Sequence, residues 1–246
     1  MIGAPLRRLE DPRLIQGQGQ YVDDINRPDT HFVVFVRSPE AHARIVGIEA
    51  DEARTMPGVL GVYSGTDLGL TDRMPNLFPA PAVAGSKQGF ALALDEVAYV
   101  GEAVVAVVAE SRRQAVDAAE LVFVEYDPLP VVVGHLTALD DGTPMAHSDL
   151  DSNLVATMHA KYGDIDAAFE VASNVIDVHV HQHRGACASM EPRGVVAVVD
   201  DAFGELVVWS STQSPFPLRT HLVEFLGLEG DKVRVIAPDV GGGFGP

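Results

Sequence analysis

The chain has 246 residues, of which 47% are hydrophobic, enough for one large domain or two smaller ones built around a real core. Its 35 acidic against 17 basic side chains leave a formal charge of -18, which repels a polyanion over most of the surface and argues against nucleic acid as a partner. The apolar stretch Ala103 to Ala109 is held between Glu102 and Glu110 and is far too short for a bilayer, so no membrane span is expected. A single cysteine, Cys187, excludes an internal disulfide and fits a reducing compartment. Arg7-Arg8 is followed by Leu9-Glu10-Asp11-Pro12 where an export signal would need an apolar region, and the cytoplasm is the expected location.

The first 30 residues are rich in charge, Gly, Pro and Asp without sustained periodicity, and are expected to be extended and to serve packing. Strands are expected at Phe32 to Arg37, Arg44 to Glu49 and Val59 to Tyr63, with one short helix over Asp51 to Met56 that opens on acidic residues and closes before Pro57. Thr71 to Phe90 carries prolines and glycines among small residues and reads as a surface loop. Ala103 to Ala109 is a buried strand by composition. Ser111 is a good N-cap for a helix over Arg112 to Leu121, whose Ala115, Ala118 and Ala119 continue to Val122 as an apolar stripe. A strand from Val122 to Tyr126 then completes a strand, helix, strand succession, which suggests a βαβ unit in a mixed sheet.

Asp127-Pro128-Leu129-Pro130 breaks the pattern, and the polar, Gly- and Pro-rich stretch to residue 153 marks a linker with a boundary near 150. Beyond it a second unit is expected. It would hold a short helix near Ile165 to Ala172, strands at Val175 to His183, Val195 to Val199 and Leu206 to Ser210, a helix from Pro217 to Leu226 and a strand from Lys232 to Ile236. The fold class is therefore α/β (α+β).

After that last strand come Pro238-Asp239-Val240, three consecutive glycines, Phe244 and Gly245. Glycines let backbone approach a ligand without a Cβ, and several free amide N–H groups on such a turn can donate to an anion or an oxo group. The same run also reads as a plain tight turn. It is not a nucleotide loop: no Gly-Lys-Ser/Thr follows, and Pro246 stands where a dinucleotide fingerprint needs Gly. Upstream, Ser210-Ser211-Thr212-Gln213 ends an apolar strand just before a Pro-containing helix start, and the Gln213 amide can donate to an oxo ligand.

In order and spacing, this Thr-Gln pair, helix, strand and Gly-Gly-Gly-Phe-Gly resembles the molybdenum-binding large subunit of the xanthine oxidase, aldehyde oxidase and carbon monoxide dehydrogenase family, the molybdenum hydroxylases. The front half continues the likeness in Arg8-Leu9-Glu10-Asp11, Gly19-Gln20-Tyr21-Val22-Asp23-Asp24, Arg37-Ser38-Pro39 with Ala41-His42-Ala43-Arg44, and Met56-Pro57-Gly58-Val59. So do Val100-Gly101-Glu102-Ala103-Val104, Val124-Glu125-Tyr126-Asp127-Pro128-Leu129-Pro130, Tyr162-Gly163-Asp164 and Met190-Glu191-Pro192-Arg193-Gly194. Departures are Ala103, where the family often has Pro, and Cys187-Ala188-Ser189 in place of a Pro-rich lead into Met190.

The resemblance implies an extended lead-in over residues 1–17, an α/β hammerhead-like mixed-sheet domain over 18–130, a linker over 131–153, and the first part of a molybdopterin-binding domain over 154–246. It implies that Gln213 hydrogen-bonds an oxo ligand of the metal, and that the backbone of Gly242, Gly243, Phe244 and Gly245 lines its apical face, with no direct metal ligand from this chain. The cofactor would be molybdenum on molybdopterin, in its cytosine dinucleotide form, with 2Fe-2S and FAD on partner subunits. The implied reaction is oxidative hydroxylation of an aldehyde, an N-heterocycle or a carbon monoxide-like small molecule, with water as the oxygen source. The family's catalytic base lies beyond Gly245, so the chain alone is expected to be inactive and to need the remainder of the large subunit, or a second chain supplying it, together with an iron–sulfur small subunit and an FAD-binding medium subunit.

Three features have blander or rival readings. Glu191, between Met190 and Pro192-Arg193, reads as a structural ion-pair partner rather than a base, and Cys187 as a small buried thiol. His179, His181 and His183 on one face of a strand raise the alternative of a metal-binding module. A further alternative is a non-catalytic fragment or split-gene structural partner that completes another chain.

Overall fold

The computed structural model describes residues 2–75, 88–157, 159–183, 185–200 and 203–245. The chain forms two compact units: Asp29 to Gly163, and the residues up to Pro28 together with those from Asp164 onward.

The unit from Asp29 to Gly163 is built on two antiparallel three-stranded sheets. In the first, β5 (Ala103–Ala109) lies between β1 (Phe32–Arg37) and β3 (Val59–Ser64); in the second, β2 (Ala43–Glu49) lies between β4 (Glu96–Val97) and β6 (Phe123–Pro128). β5 is nearly continuous in Ala and Val because both of its faces are covered: Val104, Val105 and Val107 are fully buried. The core gathers these valines with Ala43, Ala50, Ala53, Val62, Ala93, Val97 and Ala118. α2 (Asp51–Thr55) packs on β3, and α3 (Arg112–Ala119) packs on β1 and β5 through Ala115 and Ala118. Ser111 caps α3 as its position predicts, its Oγ accepting from the Gln114 N–H at 3.3 Å.

The strand, helix, strand succession over 103–128 is not a βαβ unit. β5 and β6 belong to different sheets, and every pairing here is antiparallel. Local pattern reports only the order of elements, whereas the partner of each strand is set by which apolar face can be buried. Of the expected loop from Thr71 to Phe90, residues 76–87 lie outside the described residues, and the flanking residues are irregular, with the Met74 N–H donating to Gly89 O at 2.9 Å.

One polar cluster is buried beside this core. His42, 6% exposed, donates from Nδ1 to Pro130 O at 2.7 Å and places Nε2 3.2 Å from Glu96 Oε1. Burial pushes the Glu96 carboxyl up, but the hydrogen bonds from Ser148 and His42 outweigh it and hold it below the usual carboxylate range. Glu102, 5% exposed, accepts from the Ala98 N–H at 2.6 Å, and burial pushes its carboxyl up.

The other unit contains α1 (Asp11–Leu14), a 3-10 turn over Val22–Asp24, α4 (Ile165–Val171), and a three-stranded sheet of β7 (Val195–Asp200), β8 (Glu205–Ser210) and β9 (Val233–Ile236), with α5 (Pro215–Leu226) between the last two strands. β7 pairs antiparallel with β8, and β8 pairs parallel with β9. The true βαβ crossover of this chain is therefore β8, α5 and β9. α5 begins two residues earlier than its expected start because Pro215 supplies the preset φ of a first helical position. It ends at Gly227, whose φ of +64° closes the last turn with Leu228 N–H on Val223 O at 3.1 Å.

Two expectations fail in this unit. The lead-in is not purely extended, since Pro12 nucleates α1 and Asp24 caps the turn at Tyr21 N–H. Val175 to His183 forms no strand: it is exposed throughout, with Ile176, Val178 and Val180 open to solvent. Its period-2 pattern is genuine, but a strand needs a ladder partner, and among the described residues none lies beside it.

Truncating a core valine separates the two kinds of apolar position. Val107→Ala is expected to cost about 2 kcal/mol by leaving a cavity, whereas Val46→Ala, at a site 59% exposed, stays within about 0.5 kcal/mol. Urea unfolding of both variants checks this, and equal losses would overturn the assignment of the core.

Candidate functional site

Parallel pairing of β8 with β9 sets Trp209 opposite Ile236, so the carboxyl ends of both strands emerge at one edge of the sheet. In open α/β arrangements that edge is where ligands bind. The loop after β8 carries Gln213, and the residues after β9 are the glycine run. The two meet: a Cβ on Gly243 would lie 2.5 Å from Gln213 Oε1 and 3.1 Å from its Cδ. Gly243 is thus the space into which the amide side chain fits. Gln213 is exposed, and among the described residues nothing hydrogen-bonds its amide. The start of its loop is anchored at Ser211, which accepts from Gly194 N–H through Oγ at 2.8 Å and donates its own N–H to Gly194 O at 3.2 Å.

The glycine turn holds its backbone carbonyls on one side. Gly241 O accepts from Glu191 N–H at 3.3 Å, Gly242 O from Ser189 Oγ at 2.8 Å, and Phe244 O from Cys187 Sγ at 3.5 Å. The amides of Gly242, Gly243, Phe244 and Gly245, in contrast, have no acceptor among the described residues. Phe244 stands at φ +47°, a left-handed conformation that costs a side-chain-bearing residue about 1–2 kcal/mol. Successive amides in a turn of mixed handedness face one concavity and make an anion-binding nest.

Two carboxylates hold the turn. Glu191 Oε2 accepts from Gly241 N–H at 2.6 Å while its Oε1 accepts from Val22 N–H at 3.2 Å. Its expected ion pair is replaced by these two backbone donors, each charge-assisted bond being worth about 1.5–3 kcal/mol. A Cβ on Gly241 would collide with Glu191 Cβ, so the close approach needs glycine at that position. Asp239 receives both terminal nitrogens of Arg13 at 2.5 Å and the Gln20 N–H at 2.8 Å, and returns its own N–H to Gln20 O at 2.9 Å. The Arg13 guanidinium first, and the Gln20 amide second, bring the Asp239 carboxyl down from 3.8 to about 2.

Cys187 is exposed rather than buried, because the stretch leading to it has no ladder to cover it. His179, His181 and His183 do not share a strand face. The rings of His181 and His183 lie 4.8 Å apart, and among the described residues no group of three or more His, Cys, Asp or Glu could hold a metal. Arg13, Gln20, Ser189 and Asp239 escaped sequence reasoning. The position of Asp239 just before the glycines was their one visible signal, since Arg13 and Asp239 are 226 residues apart in the chain.

Residues 16–130 match the family model described as the aldehyde oxidase and xanthine dehydrogenase a/b hammerhead domain, and residues 146–246 match the molybdopterin cofactor-binding domain. The chain belongs to the xanthine oxidase, aldehyde oxidase and carbon monoxide dehydrogenase family. It is 40% identical over 248 residues to the nicotine 6-hydroxylase large subunit of Paenarthrobacter nicotinovorans, covering 100% of this chain and 30% of the relative. It is 37% identical over 257 residues to the carbon monoxide dehydrogenase large chain of Afipia carboxidovorans, covering 99% of this chain and 31% of the relative. The solved quinoline 2-oxidoreductase of Pseudomonas putida superposes with a TM-score of 0.83 at 34% identity, over 99% of this chain and 31% of that one. The chain thus spans about 30% of the length of these relatives. Among the described residues no helix is long and apolar enough to cross a membrane.

The depressed Asp239 carboxyl makes a pH-dependent prediction. Between about 4 and 2 the unfolded chain binds a proton at this position that the folded one refuses, so its stabilisation is complete above the unfolded value and is lost as pH falls through about 2. Wild type is expected to melt above Asp239→Asn at neutral pH, with the gap narrowing as pH falls from 4 towards 2; a gap constant over that range would remove the Asp239 pair from this role.

Proposed function

We propose that this chain supplies the front part of a molybdenum hydroxylase large subunit, and that its glycine turn and Gln213 face the molybdenum cofactor. The observation that carries the reading is the run of unsatisfied amides from Gly242 to Gly245 beside the free Gln213 amide. Gly242 and Gly243 are half-buried and Phe244 and Gly245 exposed, so four consecutive N–H groups with no acceptor among the described residues form an open row of donors that suits an oxygen-rich ligand. Gln213, Gly242, Gly243, Phe244 and Gly245 would hold that ligand, with the Cβ-free face of Gly243 leaving room for the Gln213 amide.

When bound, the cofactor supplies the two-electron oxidation; this chain's part is to position it and to donate hydrogen bonds to its oxygen ligands. The substrate class is an aldehyde, an N-heterocycle or a carbon monoxide-like small molecule hydroxylated with oxygen from water. The relatives named as nicotine 6-hydroxylase, quinoline 2-oxidoreductase and carbon monoxide dehydrogenase span two of these three chemistries. The cofactor form is molybdopterin cytosine dinucleotide, and electrons leave to a 2Fe-2S small subunit and an FAD-binding medium subunit in the cytoplasm.

No catalytic base is assigned to this chain. Glu191, the carboxylate nearest the turn, has both oxygens occupied by backbone amides. The base and the rest of the substrate pocket would come from the remainder of the large subunit, in the same or a second polypeptide. The open apolar side of Ile176, Val178 and Val180 is what such a remainder would cover.

Metal analysis of the complex purified from its native source is expected to return molybdenum, and a complex with none sinks the reading. In that enzyme Gln213→Ala is expected to lower turnover on the order of 100-fold, as loss of one preorganised donor does. Unchanged kinetics would take Gln213 out of the site.

A further inference from the structure

The segment from Arg13 to Val22 reaches the glycine turn through both of its carboxylate anchors. Asp239, two residues before the glycines, binds the Arg13 guanidinium and exchanges a pair of backbone hydrogen bonds with Gln20. Glu191 bridges Val22 N–H and Gly241 N–H with its two oxygens. The same segment is seated by the buried Val22 side chain, which packs against Gly194, and just beyond it the Arg27 guanidinium stacks 5.3 Å over the Trp209 ring of β8. Gly194 in turn anchors Ser211 at the start of the Gln213 loop. Both halves of the candidate site, the turn and the glutamine loop, therefore lean on residues 13–27.

We propose that residues 13–22 form a positioning strap for the cofactor-facing turn, with Arg13, Glu191 and Asp239 as its positioning residues. The strap holds Asp239 directly and Gly241 through Glu191, at the entry to the turn. With those ends held, the amides from Gly242 to Gly245 keep a common direction, and the Gln213 amide keeps its seat over Gly243. A carboxylate suits this bridge because each of its two oxygens accepts independently; a neutral amide offers one acceptor and turns an N–H donor towards the other backbone N–H. The functional part of the inference rests on the reading that the turn faces the cofactor, whereas the mechanical part does not.

The test uses the complete enzyme with Glu191→Gln and, as a second variant at a half-exposed site that leaves the glutamate intact, Arg13→Ala. Three quantities are read: amide hydrogen exchange by peptide mass spectrometry, molybdenum content, and kcat with KM on whichever of an aldehyde, an N-heterocycle or carbon monoxide the wild type oxidises. In both variants exchange of the hydrogen-bonded amides of Asp239 and Gly241, read from the peptide spanning 239–245, is expected to rise at least about tenfold while the hammerhead core is unchanged. kcat is expected to fall with KM nearly constant, because donors to the metal's oxygens are misplaced while the substrate pocket is not. Wild-type exchange over 239–245 in both variants overturns the strap. Faster exchange with kcat and molybdenum content unaltered overturns its positioning role. A wild type that carries no molybdenum sinks the proposed function instead, and the exchange data still decide whether the strap exists.

Discussion

Glu191 is the point on which the cofactor-side unit turns. One carboxylate joins three stretches that are distant in sequence: the lead-in at Val22, the Met190-Glu191-Pro192 segment itself, and the glycine turn at Gly241. Two charge-assisted bonds to backbone donors satisfy groups that would otherwise be orphaned where the chain makes its close approach, and Gly241 must lack a Cβ for the carboxylate to fit. Remove that bridge and the turn has one remaining anchor upstream, Asp239, which depends on the same lead-in.

This arrangement divides the polar groups of the turn by duty. Carbonyls of Gly241, Gly242 and Phe244 are occupied by Glu191, Ser189 and Cys187. The amides that follow are left over. A turn that commits its acceptors to its own protein and keeps its donors free is organised for an electron-rich ligand, and Phe244 holds a strained left-handed φ within it. The hammerhead unit follows a different logic. Its stability sits in a tightly packed alanine and valine core, beside which His42 Nδ1, Glu96 and Glu102 find hydrogen-bond partners in Pro130, Ser148 and Ala98.

Much of the fold was legible because it is written in local pattern. The strands β1, β2, β3, β5, β7, β8 and β9, the capped helix after Ser111 and the helix before Gly227 lie within a few residues of where period and capping place them. Strand partners were not legible: β5 and β6 looked like a βαβ pair and belong to separate sheets, and Val175 to His183 has the alternation of a strand without a partner. Alternation says that one face seeks cover. It does not say which surface provides it.

The candidate site divides in the same way. Sequence by itself determined the family, through ordered motifs, and named Gln213 and the glycines, because a Cβ-free turn after a strand and an amide before a helix are local chemical signatures. Only the tertiary structure decided that β8 and β9 run parallel and so deliver Gln213 to Gly243, that Glu191 grips amides instead of a cation, and that Arg13 reaches Asp239. The physical reason is separation along the chain. A hydrogen bond spanning 226 residues leaves no mark on the residues between its ends, and it exists only once burial elsewhere has brought those ends together.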